Sequence, residues 1–152
     1  MAAITYANPA QIPAPVGQYT NVAIVDHQSS VAYVAGQLPL DENGKLVGEG
    51  DFAIQAQVAF DNLANALGAA GSSLAEAAYV RAFLVNEHDL PQFRAVRAEA
   101  YLQHGVTDPP PATTVLVKGL IEGSLIELDA VAVVSPKGEE STGTSPDRSV
   151  DA

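Results

Sequence analysis

Residues 124–134 read SLIELDAVAVV, and the reading of this stretch decides the fold. Successive side chains of a strand point to opposite faces. Leu125, Glu127, Asp129, Val131 and Val133 therefore share one face, and Ile126, Leu128, Ala130, Ala132 and Val134 the other. The second face is wholly apolar and belongs against a core. The first carries two carboxylates among core-like neighbours. A buried carboxylate without a partner is costly, so each acid must be solvated, paired or used. On strand pattern alone, an edge strand wetting its acids explains the pair as well as a functional site does.

Working outward from this strand, residues 21–26 (NVAIVD) and 30–35 (SVAYVA) read as strands around a polar turn holding His27 and Gln28. A turn at DENGK, residues 41–45, precedes a short extended piece at 46–47. Asp51 is placed to cap a helix whose apolar stripe is Phe52, Ala56, Ala59, Phe60, Leu63, Ala66, Leu67 and Ala70, with Gly71 as its stop. Ser73 and Glu76 have capping-box spacing, but residues 78–85 (AYVRAFLV) read as a strand. Asp89 is placed to cap a second helix, with Pro91 in its first turn and Leu90, Phe93, Val96, Ala100 and Tyr101 facing inward. Strands at 113–117 and 125–134 follow. Residues 135–152 are polar, rich in Pro, Gly, Ser and Thr and without periodicity, which predicts a disordered tail behind a domain spanning residues 1–134.

This order predicts an α+β fold with a mixed sheet and both helices on one face. The uncovered face would still carry Val and Leu side chains, so self-association is expected to cover it.

Composition narrows the function classes. A chain of 152 residues with 47% hydrophobic content forms one domain with a real core. Its apolar runs are broken within about ten residues, too short for a membrane span. The start, MAAITYANPAQ, lacks the basic and apolar regions of a secretion signal, and cysteine is absent; both point to a cytoplasmic protein. Seven Lys and Arg oppose eighteen Asp and Glu, for a net charge of −11. Before the tail the cations are Lys45, Arg81, Arg94, Arg97 and Lys118, too few for the basic face that displaces counterions from nucleic acid. His27, His88 and His104 lack ligand spacing, so no metal is expected. Neither GAAG nor GKLVGEG matches a phosphate loop, and no cofactor is expected.

Several segments occur in an order that resembles the RidA/YjgF family of reactive intermediate deaminases. They are APVGQY (14–19), VAYVAGQLP (31–39), QVAFDNLANALGAAG (57–71), VRAFLVNEHDLPQF (80–93), PPATTVLV (110–117) and IELDAVAV (126–133). The resemblance implies a chorismate-mutase-like fold and a barrel-like homotrimer with small-molecule sites in clefts between subunits. It implies water attack on an imine or enamine carbon with release of ammonia. It assigns the water-activating glutamate to Glu127, a cleft-lining tyrosine to Tyr19, and substrate-binding backbone to Ala35 and Gly36.

One departure stands out. The resemblance places the family's carboxylate-binding arginine at Thr113, and threonine cannot form a bidentate fork. The loss is expected to cost about 2–5 kcal/mol of carboxylate binding, so turnover of simple 2-imino acids should be low. Arg97 stands where the resemblance implies a cleft-lining asparagine, on the apolar stripe with Phe93 and Tyr101. It either snorkels, pairs with Glu127 or Asp129, or binds the substrate's anion in place of the missing fork. The resulting expectation is a Rid-type hydrolase with altered anion recognition. The alternatives are a non-catalytic trimer binding metabolites or a partner protein, and an endoribonuclease, which the charge disfavours.

Overall fold

The computed structural model describes residues 3–134, and the tail expected at 135–152 lies outside them. In chain order the elements are β1 (Ile4–Ala7), β2 (Val22–Val25), β3 (Ser30–Gln37), α1 (Phe52–Ala69), β4 (Ala77–Leu84), α2 (Leu90–Gln103), β5 (Ala112–Leu116) and β6 (Ile126–Val134).

The last strand in sequence is interior in space. The main sheet has four strands in the order β3-β6-β4-β5. β6 runs antiparallel to both β3 and β4, while β4 and β5 are parallel and joined through α2. Parallel neighbours need such a crossover, so the sheet is mixed. The edge-strand explanation of the two acids fails here, because β6 is hydrogen-bonded on both sides. Its predicted alternation holds from Ile126 to Ala132: Ile126, Leu128, Ala130 and Ala132 are buried, while Glu127, Asp129 and Val131 are only partly covered. It breaks at the strand's end, where Val133 is buried and Val134 only partly covered.

Both helices pack on the apolar face, α1 against β6, β3 and α2. The core is ordered by aromatics: Phe60 stacks on Phe93 at 6.4 Å between centroids and meets Tyr101 edge-on at 6.3 Å. Asp51 caps α1 as the sequence implies, its Oδ1 accepting from Ile54 N at 3.1 Å. Gly71, at φ +78°, closes it in a Schellman motif: Ser72 N donates to Leu67 O and Gly71 N to Gly68 O. Asp89 departs from expectation. It has helical backbone angles, makes no side-chain cap bond, and its carboxylate accepts from Asn86 Nδ2 instead.

Two features depart from the sequence expectation. The strand expected at 21–26 does not pair with β3 across the His27 turn: as β2 it forms a separate two-stranded antiparallel sheet with β1, tied to the main one by Tyr6 Oη donating to Ala77 O at 2.7 Å. Gln55, on the apolar stripe of α1, is fully buried. Its Nε2 donates to Gly48 O at 3.0 Å and its Oε1 accepts from Leu125 N at 2.8 Å. It thus fixes the start of β6 to the loop before α1. Gln55→Leu would bury an unpaired N–H and C=O, and is expected to cost about 2–4 kcal/mol in denaturant unfolding. An unchanged midpoint would reject this tie.

The other sheet face has no helices. Val31, Tyr33, Phe83, Val115 and Val131 lie on it by register, and Tyr33 is 80% exposed.

Candidate functional site

The two acids of β6 have different fates. Arg81 stands opposite Asp129 in the β4–β6 ladder and grips it bidentately, Nε to Oδ1 at 2.9 Å and Nη2 to Oδ2 at 2.6 Å. These bonds and the carboxylate's charge hold the guanidinium above its ordinary pKa. The pair is half exposed, so it fixes positions more than it stabilises.

Glu127 has no hydrogen bond or ion pair among the described residues. Its carboxylate lies across Gly36: a Cβ built there would come within 1.7 Å of Glu127 Oε1 and 2.7 Å of the carboxyl carbon. A β-bulge creates this approach. Val34 pairs with Ala130 and Gln37 with Leu128, so β3 places two residues, Ala35 and Gly36, where β6 places one, Asp129. Glycine at this position serves close contact, since its backbone is not in the left-handed region. Ala35, just before it, lines a shallow cleft with Tyr33, Tyr79, Arg81 and Asp129. Gly36 and Glu127 are thereby brought together on the helix-free face, with Ala35 beside them.

Tyr19 and Arg97 meet elsewhere. A cavity of about 250 Å³ opens between the loop before β2, α2 and the edge strand β5, lined by Gly17, Tyr19, Phe93, Arg97, Ala112 and Thr114. The loop is anchored to the segment before β5 by Thr20, whose Oγ1 donates to Pro109 O at 3.0 Å and whose N–H donates to Pro110 O at 3.4 Å. Arg97 is only 8% exposed. Its guanidinium carbon lies 5.2 Å from the centroid of the Phe93 ring. Its Nη2 borders Gly17, where a Cβ would stand 3.6 Å away. Burial is the main cause that pulls its pKa below the ordinary arginine range; the Tyr101 hydroxyl opposes that shift and Arg94 adds to it. An arginine nonetheless stays charged.

This placement corrects one expectation. Arg97 pairs with neither Glu127 nor Asp129: Asp129 belongs to Arg81, and Glu127 lies on the opposite face of the sheet. Arg97 Nε has no hydrogen-bond partner among the described residues. Thr113 does not join the Arg97 cleft. Strand parity turns it to the helix-free face, where its hydroxyl makes a short hydrogen bond with Tyr79 Oη. Its neighbours Ala112 and Thr114 are the β5 residues in the cleft. The sequence ATTVL has no polar alternation from which this parity can be read. Among the described residues no three His, Asp or Glu side chains gather as a metal site. No helix among them is long and apolar enough to cross a membrane.

Comparison with known proteins agrees with this architecture. The sequence model of the family described as Endoribonuclease L-PSP matches residues 9–134. A RutC family protein from Sulfurisphaera tokodaii is 35% identical over 127 residues, 83% of this chain and 93% of that one. A protein named 3-aminoacrylate deaminase RutC, from Acinetobacter baylyi, is 32% identical over 127 residues, 83% of this chain and 94% of that one. The crystal structure of the Rid-family protein YyfB from Yersinia pestis superimposes with a TM-score of 0.76 at 26% identity, covering 88% of this chain and all of that one. The chain belongs to the Endoribonuclease L-PSP family, the RidA/YjgF group, and has its α+β fold.

Proposed function

We propose that the chain forms a homotrimer in which the Tyr19–Arg97 cleft of one subunit is completed by the Gly36–Glu127 segment of the next. In that site a small imine or enamine carrying an anionic group is hydrolysed to a carbonyl compound and ammonia. The observation that carries the reading is the Glu127 carboxylate, without a partner among the described residues and seated in the Gly36 bulge. Free acceptor capacity beside a close backbone is what a water-activating base needs.

In this reading Arg97 holds the anion while the C=N carbon (of the imine, or of the imine tautomer of an enamine) faces Glu127. A water oxygen bonds to that carbon. Glu127 takes one proton from this water and returns it to the nitrogen, giving a neutral carbinolamine. Its hydroxyl proton then moves to nitrogen as the C–N bond breaks, leaving C=O and ammonia. The relative named as a 3-aminoacrylate deaminase supports this chemistry, since that name denotes an enamine bearing a carboxylate. The net charge of −11 favours a small molecule over RNA.

The helix-free face, with Tyr33, Val31 and Val115 exposed, supports assembly. Light scattering at micromolar concentration is expected to give three times the chain mass; a stable monomer would rule out the composite site. Ammonia release from a freshly generated imine or enamine, measured for wild type and Glu127→Gln, tests the chemistry.

A further inference from the structure

The cleft holding Arg97 contains a second cation. Arg94, one helical turn earlier on α2, lines the same cavity, exposed where Arg97 is buried. No acid lies within ion-pair distance of either among the described residues; the Lys/Arg–carboxylate bridge found there is Arg81 with Asp129. This is unusual in a chain where acids outnumber Lys and Arg eighteen to seven. Two guanidiniums have converged on one small cavity, and the inner one is more than nine-tenths buried with its Nε unpaired.

A desolvated guanidinium without a counter-charge is costly, and a second positive charge beside it adds to that cost. Phe93 relieves part of it through its ring face. Negative charge entering the cleft would relieve more of it than water does. A single carboxylate satisfies one guanidinium in a bidentate fork and leaves the other facing bulk solvent. A group or short chain with two negative charges engages both.

We infer that the Arg94–Arg97 cleft selects a dianionic small molecule, a short dicarboxylate or a phosphate monoester, over a monocarboxylate. This rests on the proposed site for its location, but its charge preference is a separate matter from the hydrolysis. Arg97, buried against Phe93, binds any anion that enters. Arg94, at the mouth, reads the second charge. Threonine at 114 and tyrosine at 19 add neutral hydroxyls to the lining without opposing charge. The cavity of about 250 Å³ lies below the ~300–1,000 Å³ of drug-sized sites, which limits the ligand to a small metabolite.

The test is calorimetric titration of the full-length protein with acetate, malonate and inorganic phosphate at mildly alkaline pH and low ionic strength, for wild type, Arg94→Gln and Arg97→Gln. Wild type is expected to bind malonate or phosphate at least about tenfold more tightly than acetate. Arg94→Gln should bring the dianions close to the level of acetate, with a much smaller loss for acetate itself. Arg97→Gln should weaken all three, with melting temperatures confirming that both variants are folded. Malonate ahead of phosphate assigns a dicarboxylate, and the reverse order a phosphate ester. Equal affinities in wild type, or a dianion preference that survives Arg94→Gln, would overturn the inference. Either result combined with Glu127-dependent ammonia release leaves the hydrolytic reading standing. A dianion preference combined with ammonia release indifferent to Glu127 removes that reading and keeps the anion site.

Discussion

Glu127→Gln is expected to lower ammonia release by about 10²–10⁴-fold, the range associated with loss of a positioned general base. The amide keeps the shape of the side chain but cannot take a proton from water. Because Glu127 has no partner among the described residues, the substitution strands no buried charge and breaks no internal bond. The folded state should therefore be nearly as stable as wild type, and binding of anions at the Arg97 cleft should persist. Steady-state kinetics and thermal melting on the same preparation check both halves. A variant that retains full turnover would remove Glu127 from the chemistry. One that melts far below wild type would mean that the carboxylate is structural.

Gly36→Ala is expected to reduce turnover nearly as much, by a steric route. Its Cβ would fall within 1.7 Å of Glu127 Oε1, a separation that no pair of unbonded atoms sustains. The neighbour that must yield is a flexible carboxylate rather than backbone, so the fold should survive while Glu127 is driven from its position. The double variant with Glu127→Gln should then be little worse than either single one, because both changes remove the same function. Multiplying losses in the double variant would show that Gly36 acts independently of Glu127.

Much of this arrangement is legible in the sequence. The alternation of Ile126, Leu128, Ala130 and Ala132 against Glu127 and Asp129 survives in full, because one face of a sheet buried under helices fixes register strongly. The caps of α1 are equally plain, since Asp51 and Gly71 each solve a local backbone problem. What escapes is what depends on distant partners. Nothing local indicates that Asp129 meets Arg81, 48 positions away, while Glu127 is left over. The parity of β5 is hidden because Thr113, Thr114 and Val115 suit either face. β1 is four residues long and, among the described residues, finds its ladder partner in β2. Gln55 had a readable signal, a polar residue three positions after Phe52 on the buried stripe. Arg94 had none until α2 and the Tyr19 loop were seen around one cavity.

The proposal that the site is shared between subunits rests on the placement of two side chains. Glu127 is on the helix-free face of β6, whereas Arg97 lines a cleft on the helix side of β5, with β4 between those strands. Neighbouring strands are about 4.8 Å apart, so a small ligand in one chain cannot touch both side chains around or through the sheet. Both must therefore come from different copies if they act together. The direct measurement is complementation: Glu127→Gln and Arg97→Ala chains, each nearly inactive alone, are mixed, unfolded and refolded together, and ammonia release is assayed. Sites built between subunits should regain roughly a quarter of wild-type activity, the statistical share that pairs an intact Glu127 with an intact Arg97. Activity no greater than the sum of the two separate variants would contradict the composite site.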